Sequence, residues 1–156
     1  MPMTSHETSL IVDRPVRTVY NQWTQFETFP RFMSGVERID QISTTKTHWV
    51  TSVAGVKREF DAEITEQTPD QRVAWKSTDG SSHAGVVTFH RIDEGKTKVM
   101  MQLDVEPEGL VEKVGDHIGI VERQVEKDLA RFKEFIEAQP AATGAWRGEV
   151  TQDPGN

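Results

Sequence analysis

Cysteine is absent from the 156-residue chain. That removes disulfides, thiolate zinc sites and thiol nucleophiles together, while leaving the redox compartment open. Basic residues are few: 18 Lys and Arg stand against 25 Asp and Glu, a formal net charge of −7. Phosphate backbones are held by clustered cations, so no nucleic-acid partner is expected, and a polybasic membrane face is disfavoured for the same reason. Long apolar runs are also missing. No stretch approaches the ~20 residues of a spanning helix, so no integral membrane segment is expected. The opening residues 1–7 lack the basic segment and apolar run of a signal peptide, which sets the expectation of a soluble cytoplasmic protein.

Cofactor and metal signatures are missing as well. The five histidines, His6, His48, His83, His90 and His117, have no His-x-His or His-Glu-x-x-His spacing, so neither a metal nor any other cofactor is expected. No Gly-x-Ser-x-Gly elbow, Walker or dinucleotide glycine pattern occurs. Gly80-Ser-Ser-His-Ala-Gly85 has suggestive glycines but lacks a following Lys-Ser/Thr, and reads as a hairpin loop.

What is present is periodicity. Residues 6–13 carry Leu10-Ile11-Val12 and stop at Asp13-Arg14-Pro15, a strand ended by a turn. Val16, Val19, Tyr20, Trp23 and Phe26 then recur at three- and four-residue spacing, predicting a helix. Phe29-Pro30-Arg31-Phe32-Met33, closed by Gly35, predicts a second, shorter one. From 36 to 106 the rhythm becomes six strands, roughly 36–43, 46–54, 56–68, 71–78, 82–92 and 96–106, separated by turn residues. Phe60, Ala62 and Ile64 alternate with Glu59, Asp61 and Glu63, and Val99, Met101, Leu103 and Val105 with polar neighbours. Period two with one wet face marks an antiparallel sheet covered on one side.

The cover is legible too. Leu110, Val114, Ile118, Val121, Val125, Leu129, Phe132 and Ile136 step by three or four, an amphipathic helix roughly 40 Å long. A single α+β domain follows: a curved seven-stranded antiparallel sheet wrapped around a long C-terminal helix, with two short helices after the first strand. Its gap is either filled by large side chains or left as a cavity. Residues 1–139 form this domain, and 140–156 read as a flexible, frayed tail in which Trp146 is a candidate for docking.

Several segments, in this order, carry a family resemblance. They are Trp23 with Phe26, Phe29-Pro30-Arg31-Phe32-Met33, Gly35-Val36, Phe60-Asp61-Ala62-Glu63-Ile64-Thr65-Glu66 and Val73-Ala74-Trp75-Lys76-Ser77. Gly85-Val86-Val87-Thr88-Phe89, Gly95-Lys96-Thr97-Lys98-Val99 and the helix ending Phe132-Lys133-Glu134-Phe135-Ile136-Glu137 complete the set, which spans residues 5–138. The chain resembles the START-like superfamily, including polyketide cyclase/dehydrase-like and coenzyme-Q-binding-like proteins. The resemblance implies a helix-grip fold that holds a hydrophobic small molecule between sheet and helix. That superfamily hosts carriers, sensors and enzymes alike, so it does not choose among them.

Candidate ligand-binding residues follow from position. Trp49, Phe60, Trp75, Phe89, Met101 and Leu103 supply an apolar lining if a pocket exists, and are plain core if it does not. Phe32 and Met33 would gate its mouth. His117 lies at the edge of the apolar stripe of the helix, beside Ile118 and before Val121, and is either a ligand partner or a boundary histidine. Gly115 and Gly119 bracket it at a helix-propensity cost of about 1 kcal/mol each, which either a bend or close backbone approach above a ligand or plain drift of a short surface patch would explain. Arg58 shares parity with Phe60 and so points inward, toward either a ligand carbonyl or an acid at the sheet edge. Tyr20 lies on the apolar helix face, where core packing is the plainer role. Three functions stay open: a carrier or sensor of lipid, quinone, isoprenoid or polyketide type; a polyketide cyclase or dehydratase; and an interaction domain with a filled core. Oligomeric state is not legible.

Overall fold

The computed structural model describes residues 4–53, 55–79, 83–105 and 117–151, and their side chains except those of 4–6, 53, 105 and 117–122. Among these the order is β1 (Thr4–Val12), α1 (Val16–Trp23), a 3₁₀ segment (Phe26–Arg31), β2 (Val36–Gln41), β3 (Lys46–Val53), β4 (Val56–Thr68), β5 (Arg72–Ser77), β6 (His83–Asp93), β7 (Lys96–Val105) and α2 (His117–Glu137). All neighbours pair antiparallel in one seven-stranded sheet, ordered β1-β7-β6-β5-β4-β3-β2. The meander from β2 to β7 follows chain order because short turns join its strands. β1 then closes onto β7, pairing Thr4 with Val105 through to Val12 with Thr97.

Register shifts at Val36/Arg38, Ile64/Glu66 and Arg91/Asp93 bend three strands and curl the sheet. The hairpins are made by residues suited to a left-handed backbone: Gly55 at φ 82° between β3 and β4, and Asp70 at φ 63° between β4 and β5. Phe60, Ala62 and Ile64 are buried while Glu59, Asp61 and Glu63 are exposed, so the expected alternation of β4 holds. In β7, Val99, Met101 and Leu103 are buried and alternate with half-buried Lys98, Met100, Gln102 and Asp104.

The buried stripe of α2 is Val125, Leu129, Phe132 and Ile136, laid mainly against β1. Its C-terminus is pinned to the β1–α1 junction. Arg14 donates to the carbonyls of Glu137 and Gln139, which the helix itself leaves unbonded. The Glu137 carboxylate accepts from the Asp13 N–H at 2.7 Å and from Lys133 at 2.6 Å. Burial opposes ionisation of Glu137, but these donors outweigh it and hold its pKa below the ordinary value. A second brace sits earlier in the helix. Asp128, buried within α2, accepts from the Ser34 N–H at 3.1 Å and from Gln124 at 2.9 Å. Leu110, Val114 and Gly115, predicted for the start of this helix, lie outside the described residues.

The tail departs from expectation. Residues 143–150 lie along α1 and β4 as a strap instead of fraying. Thr143 and Gln22 exchange two hydrogen bonds of 2.9 Å, the Trp146 N–H donates to Thr24 Oγ1 at 3.1 Å, and Val150 pairs with Gln67 through both backbone groups. Arg147 bonds Asn21 at 2.7 Å, pairs with Asp70 at 2.9 Å and lies 5.4 Å over the Tyr20 ring. The small and polar composition that suggested disorder is what lets the strap pack closely. A Cβ at Gly144 would sit 2.6 Å from Gln25 Oε1.

Candidate ligand-binding face

The concave face of the sheet is built around Gly85. Trp75 of β5 is directly opposite Gly85 of β6, and a Cβ there would overlap Cζ2 of the indole and lie 2.5 Å from its Cε2. Because Gly85 has none, the Trp75 ring lies across β6. Trp49 stacks on it at 5.6 Å and Phe60, paired with Trp49 across β3–β4, stacks on Trp49 at 5.7 Å. Trp49 is held in plane by its Nε1–H to Thr47 Oγ1 at 2.8 Å, and that hydroxyl donates to the Ala62 carbonyl at 3.1 Å. Phe26 and Phe29 meet Trp75 edge-on at 5.8 and 6.0 Å and fill the concavity behind it.

His83 enters this aromatic band from the start of β6. Its ring centroid is 5.0 Å from Phe60, 5.2 Å from Trp49 and 6.4 Å from Trp75. The residue keeps some exposure, but Nε2 is sealed and has no hydrogen-bond partner. Burial pushes its pKa down to about 4, so the ring is neutral near pH 7. Trp75 Nε1 is likewise buried without a partner. The band therefore offers two buried polar atoms with unmet hydrogen bonds inside an apolar lining. Unmet polar atoms cost stability unless a partner arrives, and they mark a place where a polar group of a ligand would be welcome.

The predicted residues divide. Trp49, Phe60 and Trp75 come together around His83, and half-buried Arg58 follows on the same face, opposite Thr51 and two residues from Phe60. Met101 and Leu103 lie on the inner face of β7, with Leu103 opposite Gly85. Phe89 belongs to the other end of β6, where it meets Tyr20 edge-on at 5.5 Å. Phe32 packs among Trp23, Phe29, Phe132 and Phe135 at 5.1–5.6 Å, and Met33 is buried beside it. His117, Gly119 and Val121 are placed in α2, their side chains outside the described set.

Two features escaped sequence reasoning. His83 shares parity with Gly85, Val87 and Phe89, which is the signal that would have found it; reading 80–85 as a loop hid it. The second is a polar cluster under the strap. Tyr20 OH and Gln67 Nε2 are buried side by side without a well-aligned hydrogen bond, below Arg147. Burial pushes the phenol up to about 12 against the lowering influence of Gln67 and Arg147. No sequence pattern marks it, since its partners come from three distant segments.

Among the described residues no His, Cys, Asp and Glu group is arranged to hold a metal ion, and no helix is long and apolar enough to cross a membrane. The fold is shared with known proteins. An uncharacterised 17.2 kDa protein of Streptomyces lincolnensis, from the melC2–rnhH intergenic region, is 62% identical over 95% of this chain and 99% of its own. Among solved structures, TTHA0849 from Thermus thermophilus shares the fold at TM-score 0.72 and 21% identity, covering 88% of this chain and 99% of that one. The Zhui aromatase/cyclase from Streptomyces sp. R1128 does so at 0.70 and 15%, over 92% and 99%. A START superfamily protein from Mycobacterium smegmatis follows at 0.69 and 14%, over 86% and 97%. Residues 12–134 match the family model described as polyketide cyclase / dehydrase and lipid transport, and the chain belongs to that family.

Proposed function

We propose that the protein binds a hydrophobic small molecule between the concave sheet face and α2, with a polar group of the ligand meeting His83 and Trp75. The observation that carries this reading is the pair of buried, unpartnered polar atoms set in the Trp49–Phe60–Trp75 band. Arg58, Met101 and Leu103 extend the proposed lining, and His117 and Val121 would close it from the helix. Phe32, Met33 and Phe89 support the walls from behind. Native mass spectrometry of gently purified protein, followed by organic extraction, tests the proposal. A stoichiometric apolar molecule is the expected result. An apo mass that added quinones, fatty acids and aromatic polyketides leave unchanged would overturn it in favour of a filled core and an interaction role.

One observation favours chemistry as a second reading: His83 and Arg58 share the face, a combination able to move a proton and stabilise an enolate. A histidine near pKa 4 is a weak base at pH 7, however, because general bases work best with a pKa near the operating pH. Binding is therefore the stronger of the two. Cyclase turnover that disappears in Arg58→Met and His83→Gln would reverse that order; turnover retained by Arg58→Met removes this enzyme proposal.

A further inference from the structure

A second concavity lies between the strap, the end of α1 and the β2–β3 turn. Its volume is about 350 Å³. The walls bring together the carboxamides of Gln25, Gln41 and Gln67 and the hydroxyls of Thr24, Ser43 and Thr44; Ala145 and Trp146 of the strap complete them. None of these side chains is charged. Some of the polar groups are already committed. Thr24 Oγ1 takes the Gln25 amide at 2.9 Å and the Trp146 N–H, and the Gln41 amide donates to the Ser43 carbonyl at 3.2 Å. Gln67 is 2% exposed, and its Nε2, beside the Tyr20 hydroxyl, makes no well-aligned hydrogen bond.

The indole at the rim is built in. A Cβ at Gly148 would lie 2.5 Å from Cη2 of Trp146, so only glycine lets the strap fold back onto one side of the ring. Trp146 stays half-exposed, whereas Trp23, Trp49 and Trp75 are at most 1% exposed. A neutral wall of amides and hydroxyls presents donors and acceptors without a net field, which disfavours phosphate, carboxylate and ammonium ligands alike. An aromatic surface beside such groups suits a ring with apolar C–H edges and several hydroxyls. The volume accommodates one or two such rings. The strap lies beyond residue 134, where the family match ends, so Ala145 and Trp146 come to the groove from outside the matched segment.

We propose that this strap-built groove is a binding site for a neutral polyhydroxylated ring, of the hexose or N-acetylhexosamine class, separate from the sheet–helix site. The test uses the intact ¹⁵N-labelled protein and its four tryptophan indole resonances. Glucose, galactose, mannose and N-acetylglucosamine are titrated to on the order of 0.1 M, where even weak binding of mM Kd saturates. The expected result is a saturable shift of the Trp146 resonance by at least one of them, with the other three indoles unmoved. Thr44→Trp, which fills the groove from an exposed turn and leaves the strap contacts in place, should abolish that shift. Gln41→Ala should weaken binding about three- to tenfold. No shift with any sugar, an equal shift in Thr44→Trp, or a shift only with inorganic phosphate would overturn the proposal. Because the groove and the concave face share no wall, loss of one binding activity leaves the other measurable.

Discussion

At the scale of single residues, His83 and Gly85 make opposite demands on the same strand. His83 sits with a folded pKa near 4 against about 6.5 when unfolded. Between those values the unfolded chain takes up the proton first, so this group withdraws stability as pH falls from about 6.5 to 4 and adds nothing further below. The full effect is at most about 3–4 kcal/mol, at 1.36 kcal/mol per unit. Urea midpoints of the wild type and His83→Gln at pH 7 and pH 4.5 check it: the fall between the two should be smaller in the variant. His48 has the other sign. Bonds to Asp61 at 2.6 Å and Glu59 at 3.0 Å raise its pKa, so its contribution is present below its unfolded pKa and lost as pH rises through the folded one. Its exposure keeps that contribution small. Gly85→Ala is a cleaner probe of packing. The added methyl overlaps Trp75, so the indole or the strand must move, at about 1–3 kcal/mol. Chemical denaturation gives the loss, and a changed near-ultraviolet tryptophan signal confirms that the ring was displaced; an unaffected variant would mean that Trp75 does not lie over β6.

At the scale of elements, legibility followed periodicity. The faces of β4 and β7 were readable because a one-residue slip would have exposed every apolar side chain at once, and the later stripe of α2 because its apolar residues step by three and four. Tyr20, Trp49, Trp75 and Phe60 were correctly placed inside by the same two periods. The strap was not readable: Pro140-Ala-Ala-Thr-Gly-Ala-Trp-Arg-Gly148 has no period, and its stability comes from partners over 70 residues away. His83 was lost between the two cases, a strand residue adjoining a glycine- and serine-rich turn. The strap makes a definite energetic prediction. Arg147 combines an ion pair with Asp70, a hydrogen bond to Asn21 and a contact over Tyr20, so Arg147→Ala should cost about 1–2 kcal/mol. In a cycle with Asp70→Asn, which keeps the side chain best suited to the left-handed turn, the coupling should be about 0.5–1 kcal/mol. Additive losses would show that the pair is an exposed ornament of the surface.

At the scale of the whole molecule, the described part of α2 is held to the sheet by two braces. Arg14, Asp13, Lys133 and Glu137 lock its last turn to β1, and Asp128 with Gln124 ties its middle to Ser34. Val125, Leu129, Phe132 and Ile136 bury alongside these two braces. Any separation of helix from sheet that admits a ligand must therefore break charge-assisted bonds and expose core if it begins at the C-terminal end. Local opening free energies in a protein range from near zero up to the global value, and the braced segment belongs at the top of that range. Amide hydrogen exchange reads this directly. Residues 128–137 should exchange only through global unfolding with or without ligand, while a bound apolar molecule should slow exchange mainly in β6 near His83 and in α2 before Gln124. Protection gained chiefly within 128–137 would place the opening at the pinned end, and the ligand would then enter past Arg14 and not beside His83.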